Sequence, residues 1–241
     1  MDEKELKTSI KQRIFIALIA VLMLGSIIAS YAAIILNGGN SSSSGDTNVD
    51  QAKVAEYQEA YNKLQAEFSE RTKDDYDRFI AYKSEIKAYN ETSANEDGLQ
   101  VKDLEKGSGD KISKDNAEYL AYYVGWCADE SVFDSSFDNN DNPTAFAKIL
   151  DASLGMIEGW NQGVEGMRIG GIREITVPGE LAYGDSMDIC GGKNKPLKFL
   201  IMTKAKEDPL KTLASDLDAA YMRLQYASYG MDYDEMVNAG E

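Results

Sequence analysis

The sequence predicts an α+β domain carried between two helical arms and preceded by one membrane-crossing helix. Three observations carry that reading. An uncharged, almost continuously apolar run extends from Ile14 to Leu36. Apolar stripes at three- and four-residue spacing occupy the segments beginning near Gln51 and Pro209. Between them, from about Gly98, short β-branched and aromatic runs alternate with glycine and asparagine clusters.

The apolar run 14–36 is long enough to cross a bilayer core of about 30 Å as a helix. Lys4, Lys7, Lys11 and Arg13 precede it and no basic residue follows until Lys53, so residues 1–13 are expected in the cytoplasm and the remainder outside it. A cleaved signal peptide is the alternative, because small residues near Ala29 to Ala33 suit a peptidase, although Ile34, Ile35 and Leu36 prolong the apolar run. The expected location is therefore the cell membrane, single-pass, with the C-terminal part extracytoplasmic. Residues 37–50, with Gly38-Gly39 and Ser41 to Ser44, have the composition of a flexible linker.

In the segment 51–97, Val54, Tyr57, Tyr61, Leu64 and Phe68 form one helical stripe, and Phe79, Tyr82, Ile86 and Tyr89 form a second. The interval between them fits a stutter in one long helix or a hairpin within Ser69 to Arg78. Residues 98–206 read as the β-rich domain, with strands at Tyr119 to Trp126, Ile172 to Val177 and Leu197 to Thr203. Within it Leu154, Ile157, Trp160, Val164 and Met167 mark one short helix. Residues 207–241 begin a second arm at Asp208-Pro209, whose stripe is Leu210, Leu213, Leu217, Tyr221 and Leu224, and end in an acidic tail. Neither stripe is expected to stand alone in water, so the arms are predicted to pack together, within one chain or as a homodimer, as an elongated module beside the β-rich domain.

Composition narrows the chemistry. With 25 basic against 41 acidic residues and a formal charge of -16, the chain is unsuited to tracking phosphates, so no nucleic-acid partner is expected. Histidine is absent, which removes Ser-His and Cys-His triads and His-ligated zinc. The only cysteines, Cys127 and Cys190, are too few for a zinc ribbon and too far apart in sequence for a C-x-x-C pair. They are equally compatible with a disulfide and with two buried thiols. Asp138-Asn139-Asn140-Asp141-Asn142 lacks the ligand alternation of a calcium loop and reads as a solvated loop. Neither a metal nor a cofactor is expected.

Three blocks occur in order: Val132-Phe133-Asp134-Ser135-Ser136, Met156 to Met167 containing Gly159-Trp160-Asn161-Gln162-Gly163-Val164, and Val177-Pro178-Gly179-Glu180-Leu181-Ala182-Tyr183-Gly184. Supporting matches are Gly98-Leu99-Gln100-Val101, Gly107-Ser108-Gly109, Tyr123-Val124-Gly125 and Leu197-Lys198-Phe199. Together these resemble the FKBP-type peptidyl-prolyl cis-trans isomerases over roughly residues 98–206. The resemblance implies a twisted antiparallel half-barrel around a short helix. It also implies a proline-binding cavity lined by Tyr123, Phe133, Met156, Ile157, Trp160 and Phe199, with Trp160 as its floor and Asp134 and Tyr183 as the catalytic polar pair. Ile189 is the looser match, because the usual I-P-P segment is replaced by Asp185 to Gly192. The aromatic that commonly follows the proline after F-D-S-S is also replaced, since Thr144 and Ala145 separate Pro143 from Phe146. One wall of the cavity is thus expected to differ, with consequences for macrolide binding and substrate preference.

Taken alone, Phe133, Trp160 or Tyr183 would be ordinary core aromatics, and Asp134-Ser135-Ser136 a turn or cap. Their joint spacing is what points to catalysis of X-Pro isomerisation in extracytoplasmic clients. The alternative is a catalytically weak proline-segment binding module, or a chaperone that works through its arms.

Overall fold

The computed structural model describes residues 49–113, 118–206 and 209–238. The expected membrane span 14–36 lies outside the described residues, and among those described no helix is long and apolar enough to cross a membrane. Two compact units are present, Ala55–Leu224 and a smaller one joining 49–54 with 225–238.

Helix α1 (Gln51–Arg71) and helix α2 (Lys73–Ile80) are separated only by Thr72. Its N–H and Oγ1 both bond the Phe68 carbonyl, at 3.0 and 2.8 Å, and its own carbonyl receives the Tyr76 N–H at 2.9 Å. The junction is therefore one interrupted helix and not a hairpin. Phe68 and Phe79 are eleven residues apart, about three turns, so both face the same core. The helix does not continue through Tyr89 as its stripe suggested. After a 3-10 turn at Lys83–Glu85 the chain extends, and Tyr89 turns its hydroxyl to the Pro196 carbonyl at 2.8 Å while its N–H bonds Ala128 at 3.1 Å. Helix α3 (Glu91–Glu96) follows, capped by the Asn90 side chain on the Ser93 N–H.

The sheet contains β1 (Gln100–Glu105), β2 (Tyr119–Trp126), β3 (Val132–Ser135), β4 (Leu150–Asp151), β5 (Ile172–Val177) and β6 (Leu197–Ala205). Every pairing is antiparallel, in the order β1-β5-β6-β2-β3, with β4 also beside β2. The helix expected inside the domain is α4 (Glu158–Val164), shorter than its stripe because Leu154 belongs to a 3-10 turn and Met167 to the following loop. The α+β antiparallel architecture is thus the one anticipated.

Alternation along the strands divides the core in two. On one face Tyr119, Ala121, Tyr123, Ile175, Val177, Leu197, Phe199 and Ile201 pack against Trp160 and Val164 of α4. On the other, Leu120, Tyr122, Val124, Trp126, Ile172, Leu200 and Met202 meet Phe68, Phe79, Phe137 and Phe146. The same second core receives Leu210, Leu213 and Leu217 from helix α5 (Leu210–Ser228). The arms do touch each other, Tyr61 against Tyr221 with ring centroids 5.8 Å apart. Tyr61, Leu64 and Phe68 of the first stripe and Leu210, Leu213 and Leu217 of the second nevertheless pack into the core on the sheet, so these parts of the arms do not form a separate module beside it. A sheet covered on both faces needs apolar residues at consecutive positions, which is why β2 reads Tyr-Leu-Ala-Tyr-Tyr-Val-Gly-Trp and is buried throughout.

Within the smaller unit, Asp50 caps the start of α1 through the N–H groups of Ala52 and Lys53. Lys53 pairs with Asp232 at 2.5 Å. Asp232 in turn caps helix α6 (Tyr233–Asn238), so the acidic tail contains a short helix.

Candidate functional site

The site is built on the α4 face of the sheet. Helix α4 reaches the sheet closely because two of its residues lack side chains: a Cβ on Gly159 would lie 2.2 Å from Val177 Cγ1, and one on Gly163 3.0 Å from Ile175 Cγ2. That approach sets Trp160 fully buried against β2 and β6. Its indole N–H donates to the Tyr119 hydroxyl at 2.8 Å, satisfying the one polar atom a buried indole carries. Tyr123 and Phe199 meet its ring edge-on, with centroids 5.6 and 5.3 Å away, and Phe133 stands edge-on to Phe199 at 5.6 Å. Gly125 lies beneath these rings, and a Cβ there would sit 2.6 Å from Phe133 Cζ and 2.9 Å from Phe199 Cε1.

Met156, Ile157, Tyr183 and Ile189 are half-buried and pack against this same cluster. All the aromatic and aliphatic residues anticipated from the sequence are therefore brought together. The polar corner is Asp134 on β3. One of its carboxylate oxygens accepts the Tyr123 hydroxyl and the other accepts the Lys148 ammonium at 2.8 Å. Burial, and secondarily the Asp134 charge, pushes the Tyr123 phenol well above its ordinary value. The half-buried Tyr183 phenol is raised by the same two causes in the same order, so it stays a protonated donor in the field of Asp134. Tyr119 is pushed up to about 12 by burial, with the bond from Trp160 opposing.

The serines after Asp134 fasten the corner. Ser136 Oγ accepts the Tyr123 N–H at 3.1 Å, while the Ser136 N–H returns to the Tyr123 carbonyl at 2.8 Å. Ser135 Oγ accepts the Phe137 N–H at 3.1 Å. In the acidic loop, Asp138 receives the Thr144 hydroxyl at 2.5 Å and the N–H groups of Thr144 and Ala145 at 2.9 and 3.2 Å. Burial resists its ionisation, but these bonds prevail and hold its carboxyl below the usual range.

Phe146 does not close the cavity. It is fully buried in the opposite core, stacked on Tyr122 with centroids 4.0 Å apart. Lys148 stands on the pocket side instead, its ammonium 5.7 Å from the centre of the Tyr123 ring. On the far side of the site, Cys127 and Cys190 form a disulfide across 63 residues, beside Ile189. Helix α3 steadies the same loop: Asn95 Oδ1 accepts the Gly179 N–H at 2.8 Å, and Glu91 pairs with Lys195 at 2.6 Å.

Sequence reasoning missed Tyr119, Lys148 and Asn95. Tyr119 was accessible, since it shares the strand face of Tyr123 two pairs along. Lys148 and Asn95 carry no local signal, because their partners are 14 and 84 residues away.

Chemically, the arrangement offers an aromatic and aliphatic cluster with phenol donors and a hydrogen-bonded carboxylate at one edge. Residues 109–203 match the family model for the FKBP-type peptidyl-prolyl cis-trans isomerase. The chain is 37% identical over 90 residues to an FK506-binding protein of Neisseria meningitidis serogroup B, covering 36% of this chain and 75% of that one. This chain belongs to the FKBP-type peptidyl-prolyl cis-trans isomerase family. An FK506-binding protein of Streptomyces anulatus is 38% identical over 104 residues, 43% of this chain and 79% of its own. A crystal structure of AtFKBP13 is similar over 47% of this chain and 95% of that chain, with 31% identity and a TM-score of 0.34. The flanking arms lie outside the residues of the FKBP match, yet they cover the second face of its sheet.

Proposed function

We propose that the protein is an active peptidyl-prolyl isomerase that assists the folding of extracytoplasmic proteins while tethered to the membrane by residues 14–36. The observation that carries the catalytic part is the aromatic cluster around Trp160 gathered with Asp134, Tyr123 and Tyr183 on one face of the sheet. Rotation about an X-Pro bond breaks no covalent bond and faces a barrier of about 20 kcal/mol from amide resonance. That resonance separates charge between oxygen and nitrogen, so an apolar recess destabilises the planar amide relative to the twisted one. In this reading Tyr123, Phe133, Met156, Ile157, Trp160, Ile189 and Phe199 hold the proline segment. The Tyr183 phenol donates to the substrate carbonyl, and Asp134 orients the polar corner without abstracting a proton.

The Cys127–Cys190 bridge supports an oxidising compartment, in keeping with the charge asymmetry around the expected span. The test is isomerisation of a proline tetrapeptide by the whole protein. Acceleration at micromolar protein is expected, and a folded protein that leaves the uncatalysed rate unchanged rejects the enzyme.

A second reading, a chaperone using its arms, draws support from an open groove of about 490 Å³ between α1 and α5, lined by Tyr57, Ala60, Leu64 and Ala220 with Glu56, Asp216 and Arg223 around them. Suppression of aggregation of a proline-free client would favour it. The apolar stripes that suggested a homodimer are covered within one chain, so the single chain is the proposed working unit.

A further inference from the structure

We propose that the cavity between residues 103–111 and 166–173 is a phosphate-binding site, built on Arg173 and rimmed by Lys106, Lys111 and Arg168. It encloses about 210 Å³ and shares no residue with the isomerase site, so the inference stands apart from the catalytic reading. Four cations around one cavity are unexpected in a chain with 41 acidic and 25 basic residues. The two carboxylates in the lining do not account for them. Asp103 accepts Arg173 Nε at 2.7 Å, and Glu105 accepts Arg78 Nη2 at 2.5 Å. Lys106 and Lys111 have no ion pair among the described residues. Arg168 commits Nη1 to the Gly109 carbonyl at 2.9 Å and meets no carboxylate there.

Arg173 distinguishes this place from an ordinary basic surface, because it is 7% exposed and still lines the cavity. Its Nη1 donates to the Gly163 and Glu165 carbonyls at 2.8 and 3.2 Å, and its Nε is held by Asp103. Nη2 alone has no protein partner among the described residues. A guanidinium fixed by three bonds, with one amino group left over, is a donor already oriented for an oxyanion.

The rim adds a pairing that works against the fold. Lys111 and Arg168 stand opposite each other in an isolated antiparallel bridge. The Ile112 N–H bonds the Met167 carbonyl at 2.8 Å, and the Ile169 N–H bonds the Asp110 carbonyl at 3.0 Å. The two cations are therefore the non-hydrogen-bonded pair between those bonds, the kind in which side chains come closest. Like charges so placed destabilise the pairing. The segments have no latitude to separate, since a Cβ on Gly107 would lie 2.2 Å from the Ile169 carbonyl oxygen and 2.4 Å from that of Arg168. An anion between the two cations turns their repulsion into attraction. Phosphate suits the set better than a carboxylate, because its oxygens can take Arg173 Nη2 and the rim cations together.

The phosphate group has two sources, free phosphate or a lipid headgroup. The experiment titrates the whole protein, in uncharged detergent at low salt, with inorganic phosphate and separately with glycerophosphoglycerol, a soluble phosphodiester headgroup. Calorimetry should show one saturable site with a Kd of about 0.1–1 mM. Lys111→Gln and Arg168→Gln should each weaken it by about five- to tenfold. In phosphate-free buffer Lys111→Gln should melt about 1–3 °C above the native protein, because one of two opposed like charges is gone, and it should gain less from added phosphate. Tighter binding of inorganic phosphate identifies the free ion as the source, and tighter binding of glycerophosphoglycerol identifies a lipid headgroup. A native protein that binds neither saturably below about 10 mM overturns the site, as do both variants keeping native affinity. Binding is read without turnover, so failure of this site and failure of the isomerase reading are separate results.

Discussion

Replacing Phe79 by alanine tests whether the N-terminal helical segment is part of the FKBP core or an appendage to it. The ring is 1% exposed and meets Phe137 and Phe146 edge-on at 5.8 and 5.5 Å. Phe146 in turn stacks on Tyr122 of the central sheet, so the truncated site cannot collapse without moving β2. Deleting a buried phenylalanine in such a setting costs about 3–5 kcal/mol. For a domain of this size that corresponds to a fall of about 6–20 °C in the melting midpoint. With a urea dependence of about 2–3 kcal/mol per molar, the urea midpoint drops by about 1–2.5 M. Unfolding should be followed by far-ultraviolet circular dichroism, by tryptophan fluorescence from Trp126 and Trp160, and by isomerase activity. All three should shift together in one transition. A cost below about 1 kcal/mol would refute the shared core, and so would loss of helix at a urea concentration where fluorescence and activity persist.

Gly125→Ala should displace the Phe133 and Phe199 rings, raising KM for a proline peptide by about tenfold at a stability cost of about 1–3 kcal/mol; an unchanged KM would mean that those rings do not touch substrate. Tyr183→Phe removes one donor and should lower kcat/KM by about five- to tenfold, and equal activity of the two proteins would discard Tyr183 as the carbonyl partner. Replacing Cys127 and Cys190 together by serine opens a loop of 63 residues and should destabilise the protein by about 2–4 kcal/mol, while two titratable thiols in the denatured, non-reduced native protein would show the bridge to be absent. Burial pushes the Tyr61 and Tyr119 phenols up to about 12, so both must stay neutral in the folded state. Their stabilising contribution is complete below the ordinary tyrosine value of 10.0 and is lost as pH rises from there towards about 12. Tyrosinate absorbance should then appear in step with unfolding, and its appearance in protein that remains folded near pH 10.5, by about two rings more than the exposed ones supply, would contradict the burial.

Strand positions and the short helix were legible because their signals are local: β-branched and aromatic runs separated by glycine and asparagine clusters for β2, β5 and β6, and a Gly-Trp spacing for α4. The site aromatics were legible as a set, through the order of three short blocks. What was not legible was where the arms would go. Yet β2 did carry the information, for a strand with one solvated face alternates, and Tyr119 to Trp126 does not. Read that way, the run announces that something must cover the second face, and the apolar stripes of α1 and α5 are the available material. The segment from Tyr82 to Tyr89 misled because its spacing mimics a helix while Tyr89 is placed by hydrogen bonds to the turn after β2 and to the residue before β6. Lys148 and Asn95 were beyond reach for a different reason. Each acts through partners distant in sequence, and a lone polar side chain carries no periodicity.

A sheet wedged between two apolar layers has little freedom to flex, because bending it in either direction opens a gap on one side. Amide protons of β2 and β6 should accordingly exchange only when the whole unit opens, while those of the loops 137–148 and 184–194 exchange through local excursions. The aromatic cluster then has a stiff bed and looser edges: Trp160, Phe199 and Tyr123 sit on the sheet and α4, while Lys148 and Ile189 belong to the loops on either side. If proline segments bind there as proposed, differences among them would be registered in the timing of those two edges and not in the shape of the bed.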